Sequence, residues 1–276
     1  MQKAACNYCG SFNSKVIHHL ANCSGNHSVV LEYNISKDSL NFGDSKIIKC
    51  LNCGLVYLNP TPDAKLLLES YVKMQDDLYL SEEEGRRKSA RLFLNKVRRY
   101  KNKGKLLDLG CSAGILLDEA RKLGWEVHGV ELSLWAVSQA KEKFNLEIFR
   151  GELKEARFSD NYFDLIIMAD SIEHFVDPIS CLNEAKRILK PDGIIAISTP
   201  DIGSILSKAI GRSWWGIKHS HLVYFDKCSI SKILNDGGFK VLSFSSHTRF
   251  LSLNYLLPKL TGSSKASSSI KRAFGR

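Results

Sequence analysis

The chain has 276 residues, 44% of them hydrophobic, and a formal net charge of +10. That balance is ordinary for a folded globular protein and gives room for one doubly wound domain plus a small module. No internal repeat occurs, and no apolar signal-peptide or transmembrane run precedes the first cysteines, so the expected compartment is a reducing cytoplasm.

Residues 1–60 carry two knuckles, Cys6-Asn-Tyr-Cys9-Gly10 and Cys50-Leu-Asn-Cys53-Gly54. Each glycine lets backbone amides turn toward the thiolates, and four thiolates in a tetrahedron suit Zn²⁺. The spacing between the pairs fits a zinc ribbon with strands near Lys15–His19, Val29–Ile35 and Ser45–Lys49. Disulfides and a redox dithiol are the competing readings. A reducing compartment opposes the first, and the missing βαβ context opposes the second. With Cys6, Cys9, Cys50 and Cys53 closing the metal shell, the zinc is expected to be structural, with gripping of substrate as the functional alternative. Cys23 is an alternative ligand, but Cys23, Cys111, Cys181 and Cys228 read as small apolar residues.

Asn59-Pro-Thr-Pro62 reads as a hinge into a helical linker or cap over residues 61–103, where Ala90, Phe93, Leu94, Val97 and Tyr100 recur at helical spacing. The same stretch holds Arg86, Arg87, Lys88, Arg91, Lys96, Arg98, Arg99, Lys101, Lys103 and Lys105. This run is either a phosphate-binding stripe or the solvated face of an amphipathic helix. It lacks the aromatic interleaving of single-strand RNA binders.

From Lys105 the pattern changes. Lys105–Leu109 reads as a buried strand that runs through Asp108 into Gly110-Cys-Ser112-Ala-Gly114. A helix follows, with Ile115, Leu116, Ala120 and Leu123 on one side and Asp118, Glu119, Arg121 and Lys122 on the other. A second strand, Trp125–Val130, closes on Glu131, 21 residues past Gly110. A strand, glycine turn, helix, strand and acid build a nucleotide-type pocket, and the closing acid can accept from ribose hydroxyls. The acid Asp108 would repel a pyrophosphate but suits a ligand carrying an amino group and a sulfonium. Charge therefore favours S-adenosylmethionine over a dinucleotide. Gly110-Cys-Ser112-Ala-Gly114 also matches a hydrolase nucleophile elbow, but that reading leaves Asp108 and Glu131 without a task. An ordinary βαβ unit with incidental glycines is the plainest alternative.

Later segments keep the same order. Glu147–Phe149 is a third strand followed by Gly151-Glu152, and Phe163-Asp164-Leu-Ile-Ile-Met-Ala-Asp170-Ser171-Ile-Glu173-His174 is a fourth strand and its loop. Leu189-Lys-Pro191-Asp-Gly193-Ile-Ile-Ala-Ile-Ser-Thr-Pro200 gives a turn and a fifth strand. With the glycine turn, these segments resemble class I S-adenosylmethionine-dependent methyltransferases over about Lys103–Ser246. The core is most similar to ubiquinone-biosynthesis-like enzymes, and the layout to sugar methyltransferases with an N-terminal zinc module. The resemblance implies an α/β fold: a Rossmann-like, doubly wound, mostly parallel sheet occupying residues 104–276. A sixth strand is expected at Lys240–Ser246, while Leu251–Leu260 reads more as a helix than as the usual seventh strand. That apolar stretch could also lie on a membrane surface.

By the same resemblance, Asp108, Gly110, Ser112 and Gly114 surround the methionine part of the cofactor, Glu131 takes the ribose hydroxyls and Leu132 flanks the adenine. Glu152 stands where the family usually has Asp, accepting from the adenine amino group. Asp170 and Ser171 line the cofactor edge. His174, in the Glu173-His174 pair, is a candidate general base; its bland alternative is a loop-ordering histidine. His221 and His219 are the second candidates, in Gly211-Arg-Ser-Trp214-Trp215-Gly-Ile-Lys-His219-Ser-His221-Leu-Val-Tyr224-Phe225. That insert follows a lid helix at Gly203–Ile210 and precedes a helix at Cys228–Asn235. Two Trp beside two His offer a stacking wall and groups titrating near neutrality. No oxygen-rich cluster marks a Mg²⁺-dependent mechanism.

The expected activity is methyl transfer to a small-molecule, sugar or glycan-linked acceptor, at oxygen. The net charge and the ribbon also fit an rRNA or tRNA methyltransferase, although Asp170-Ser-Ile-Glu173 replaces the Asn/Asp-Pro-Pro-Tyr-type motif of amino-group acceptors. A non-catalytic binding protein that kept the fold is the third reading.

Overall fold

The structure, a computed structural model, describes residues 5–19, 45–218 and 220–252. Its main sheet is five-stranded: β4 (Lys105–Leu109), β5 (Glu126–Glu131), β6 (Ile148–Arg150), β7 (Phe163–Ala169) and β8 (Leu189–Ser198), in the order β6-β5-β4-β7-β8. Every neighbouring pair is parallel. Helices on both faces explain why the strands read as near-continuous apolar runs. Leu106, Leu165 and Ile167 face one core with Phe93, Leu94 and Ala120. Leu107, Ile166 and Met168 face the other, with Ile188, Leu222 and Phe225. The period-two alternation of a strand thus feeds two cores. The first three strand assignments of this sheet agree within two residues with those read from sequence.

A second sheet joins β1 (Ser14–His19), β2 (Lys46–Cys50) and β3 (Val56–Asn59) to β9 (Val223–Tyr224), in the order β1-β2-β3-β9. β9 belongs to the segment after the fifth strand of the main sheet, so the cysteine module is closed by a piece of the far end of the chain. Its buried Ile47, Cys50 and Leu58 merge into the same core as Leu107 and Met168. The expected hinge is a bonded turn: Ser45 Oγ donates to Pro60 O at 2.7 Å, and Thr61 Oγ1 donates to Leu58 O at 3.0 Å. The strand expected at Val29–Ile35 and the residue Cys23 lie outside the described residues.

The linker folds into α1 (Ala64–Val72), α2 (Asp77–Ser81) and α3 (Glu83–Val97). Asp63 caps α1 by accepting from the amides of Lys65 and Leu66. Ala90, Phe93, Leu94 and Val97 are buried as their spacing predicts, but Tyr100 falls beyond the helix, is half exposed and donates to Ser243 Oγ.

α4 (Ile115–Lys122) corrects a simple amphipathic reading: Asp118 and Glu119 are buried. The reason is α3, which packs over α4 and brings Arg87 against both acids and Arg91 against Glu119. Arg121 and Lys122 complete the pairing of Asp118. Lys88 pairs with Glu84, Lys101 with Asp192, and Lys105 with Glu126. Half of the ten basic residues thus pair with acids of the same chain, which leaves less of the run for a phosphate stripe.

Further along, α5 (Leu134–Phe144), α6 (Pro178–Ile188), α7 (Ile205–Ile210), where a lid helix is expected, and α8 (Lys227–Asp236) follow. Lys240–Ser246, expected as a sixth strand, forms no ladder. The segment instead runs along α3, where Lys96 Nζ donates to Ser246 O, His247 packs edge-to-face on Phe93 and Phe250 N donates to Ser89 Oγ. Side-chain anchors replace the backbone partner that a strand would need. Leu251 and Ser252 are not helical, and Leu253–Leu260 lies outside the described residues. Among the described residues, no helix is long and apolar enough to cross a membrane.

Candidate functional site

Parallel strands end at one edge, and here that edge gathers the turn after β4, Glu131 at the end of β5, Asp170 after β7 and Thr199 after β8. One continuous cavity there is lined by Asp108, Gly110, Ser112, Glu131, Leu132, Glu152, Asp170, Ser171, His174 and His221. Gly114 is not among its lining residues. It caps α4 with φ +78°, and a Cβ there would meet Leu146 Cδ1 at 2.8 Å, so its glycine serves turn and packing. Gly110, at φ +74°, accommodates Ser171, whose Cβ would lie 2.8 Å from an added Cβ. His219 lies outside the described residues.

One side of the cavity is built on buried acids. Glu131 Oε2 accepts from Ser112 N at 2.8 Å, while Oε1 accepts from Leu132 N at 2.8 Å and Ser133 N at 2.9 Å. A carboxylate offers about four lone-pair sites, so one acceptor position on Oε2 remains for a hydroxyl. Asp108 is 2% exposed, and its Oδ1 is buried with no hydrogen-bond partner. Burial and the neighbouring Glu131 push its pKa up to about 8. A cation entering this pocket would ionise Asp108 and satisfy the orphaned oxygen. The site therefore fits the amino group and sulfonium of S-adenosylmethionine. Glu152 is exposed beyond β6, and its amide donates to Glu155 Oε2 at 2.7 Å.

Two residues of the cap complete this side and were not singled out as site residues from the sequence. Arg86 lies over the Tyr79 ring, 3.8 Å from its centroid, and its Nε is buried without a partner. Both line the cavity. Arg86 was hidden in the basic run, and only the packing of α2 against α3 distinguishes it from its paired neighbours.

The other half of the cavity holds the histidines. His174 Nδ1 is 2.8 Å from Ser220 O and 3.1 Å from Tyr71 Oη. His221 Nδ1 is 2.9 Å from Gly216 O. A carbonyl only accepts, so each imidazole carries its proton on Nδ1 and presents Nε2 as the basic nitrogen. Burial lowers His174 to about 4 and holds His221 well below the usual range. Glu173 moves the other way, pushed up to about 8 by burial and by Asp170, while its Oε2 accepts from Thr199 Oγ1 at 2.9 Å. It is the third functional group the sequence left in the background. Donor atoms of Glu173, His174 and His221 lie within 4.8 Å of one another. This set is nitrogen-rich rather than the oxygen-rich kind typical of Mg²⁺.

Asp170 sits at φ +55°; its Oδ1 accepts from Ser198 Oγ and its Oδ2 pairs with Arg249. The Arg249 guanidinium also stands 5.8 Å from the Trp215 ring centroid. The two tryptophans divide: Trp214 is 3% exposed and lies over Gly216, whereas Trp215 is 51% exposed and available for stacking.

The cysteines form two matching knuckles. Gly10 N donates to Cys6 O and Gly54 N to Cys50 O, and both glycines have positive φ. All four Sγ atoms lie within 4.8 Å of one another, with Cys6–Cys53 at 3.6 Å and Cys9–Cys50 at 3.5 Å. Zn–S bonds of about 2.3 Å set tetrahedral S···S separations near ~3.8 Å, so the cluster fits a zinc ion and is far too open for disulfides.

The sequence model of the family described as "Methyltransferase domain" matches residues 81–244. The ubiquinone biosynthesis O-methyltransferase of Actinobacillus pleuropneumoniae is 32% identical over 105 residues, 34% of this chain and 45% of that protein. Its counterpart in Cereibacter sphaeroides is 31% identical over 127 residues, 42% of this chain and 51% of that protein. The chain thus spans about half the length of these curated relatives. Among solved structures, a Thermotoga maritima protein titled as an S-adenosylmethionine-dependent methyltransferase and possible histamine N-methyltransferase superposes with a TM-score of 0.51 at 20% identity. It covers 63% of this chain and 81% of that one, a likeness of fold.

Proposed function

Because the chain belongs to the S-adenosylmethionine-dependent methyltransferases, we propose that it methylates an oxygen of a small-molecule, sugar or glycan-linked acceptor. The observation that carries this reading is the split cavity: buried acids on one side, and two imidazoles held neutral with basic Nε2 atoms on the other. The likeness to ubiquinone biosynthesis O-methyltransferases supports oxygen and a small acceptor.

When bound, S-adenosylmethionine supplies an electrophilic methyl group. Asp108 would hold its positive charge, Arg86 its carboxylate and Glu131 its ribose, with Leu132 and Glu152 toward the base. On the acceptor side, His174 or His221 takes the proton that the nucleophilic oxygen loses, and Glu173, pushed up to about 8, becomes a second proton acceptor as it ionises above neutrality. Trp215 stacks on a ring of the acceptor. Cys6, Cys9, Cys50 and Cys53 hold a structural zinc. The internal pairing of Arg87, Arg91 and Lys101 leaves the RNA reading with less of its phosphate-binding run.

The test is calorimetric titration with S-adenosylmethionine, followed by methyl-transfer assays on catechols, phenols and sugar nucleotides. Binding lost in Asp108→Ala and Glu131→Ala, with turnover of an oxygen acceptor lost in His174→Gln or His221→Gln, is the expected result. Methylation of RNA with a steep salt dependence would replace this reading.

A further inference from the structure

The cysteine module and the histidine loop share one hydrogen-bonded sheet. β3 pairs with β9 at Val56–Tyr224 and Tyr57–Val223, and β9 begins two residues after His221. Just before it, Leu58 N donates to Leu222 O at 2.9 Å and Leu222 N donates to Glu173 O at 2.8 Å. Backbone of the module is thereby bonded, through one residue, to the neighbour of His174. Tyr224 adds a side-chain tie, its hydroxyl donating to Lys218 O at 2.9 Å. The residues between Lys218 and Tyr224 carry the Ser220 carbonyl that holds His174 and carry His221 itself. Glu131 instead accepts from the turn after β4 and from the residues at its own strand end.

We propose that the four-cysteine module is the positioning frame of the His174–His221 pair, acting through β9, rather than a separate grip on substrate. The proposal rests on the zinc reading above. Cys50 ends β2, and Cys53 lies three residues before β3. A metal that joins this knuckle to Cys6 and Cys9 fixes where β3 starts, hence where Leu58 meets Leu222. Opening the metal site frees β3 to shift, and with it the segment that carries the Ser220 carbonyl on His174 and carries His221 against Gly216 O.

The experiment is ¹⁵N-histidine NMR on the full chain, with signals assigned by His174→Gln and His221→Gln, metal content followed by elemental analysis, and S-adenosylmethionine affinity measured alongside. The expected result is that chelation removes zinc and replaces the Nδ1–H signals of both histidines with mixed tautomers while cofactor affinity is retained. Tyr224→Phe, metal still bound, should give the same change in weaker form. Unchanged histidine signals after metal loss, with Tyr224→Phe also silent, overturn the proposal. Loss of cofactor binding along with the metal, with Tyr224→Phe silent, also overturns it by making the module a support of the whole fold. A chain that carries no metal refutes the zinc reading alone. Tyr224→Phe and Leu222→Pro then decide: altered tautomers with retained cofactor affinity support the frame, and unaltered ones reject it.

Discussion

The rings of His174 and His221 meet edge to face with centroids 4.8 Å apart, each with Nδ1 against a main-chain carbonyl. Two imidazoles this close cannot both be charged cheaply, and burial removes the charge from each. Replacing the acting base by Gln should lower kcat by roughly 10²–10⁴-fold and leave S-adenosylmethionine affinity intact. With His174 lowered to about 4, activity should show no limb at an ordinary histidine pKa. If Glu173 receives the proton, rate should rise toward pH 8 as its raised carboxyl ionises, and Glu173→Gln should flatten that rise. A pH–rate profile of both variants checks the assignment.

On the proposed reading, binding of the cofactor against Asp108 is a proton-linked event. Its carboxyl is raised from 3.8 to about 8 in the folded chain. Between those values the folded state holds a proton that the unfolded state has lost, so Asp108's share of stability is full below pH 4 and lost as pH rises through 8. A cationic ligand prefers the ionised form, so its affinity should increase with pH up to about 8 and its binding should release protons. Calorimetry in buffers of different ionisation enthalpy reads that release. Asp108→Ala should lose about 1.5–3 kcal/mol of binding, the range for a hydrogen bond to a charged group.

Arg87 ties Glu83, Asp118 and Glu119 together between α3 and α4. Removing it takes one of several cations from two buried carboxylates, leaving Arg121 and Lys122 on Asp118 and Arg91 and Lys122 on Glu119. Arg87→Ala should cost about 1.5–3 kcal/mol by urea denaturation, the range for a lost hydrogen bond to a charged group, and less in an Asp118→Ala background. An effect confined to a few tenths would mean the pairing is loose.

Gly114 and Gly124 separate backbone strain from crowding. Both have positive φ, but a Cβ at Gly114 meets Leu146 at 2.8 Å and one at Gly124 meets nothing within 4 Å. Gly124→Ala should cost about 1–2 kcal/mol, from the left-handed backbone alone. Gly114→Ala should cost a further ~1–3 kcal/mol for overpacking. Equal thermal shifts would show that α4 moves to accept the methyl.

What could be read from the sequence was what local chemistry dictates. Alternation and apolar runs marked β4, β5 and β7 because both faces of a parallel strand are covered. Gly110, with Asp108 and Glu131, marked the edge where the cavity opens because a tight turn and placed acids need those residue types at that spacing. The paired Cys-x-x-Cys-Gly knuckles marked a four-thiol cluster because each is complete within a few residues. Long-range packing decided the rest. Asp118 and Glu119 looked solvated because their partners, Arg87 and Arg91, lie some thirty residues upstream. Arg86 was indistinguishable from Arg87 until α2 placed Tyr79 against it. Lys240–Ser246 has strand composition, yet a strand exists only where a backbone partner meets it, and α3 offers side chains instead. No residue type in the cysteine module signals that β9 will close its sheet, because hydrogen bonds between main chains are blind to sequence. That pairing, settled by tertiary contact alone, joins the two ends of the chain at the histidines.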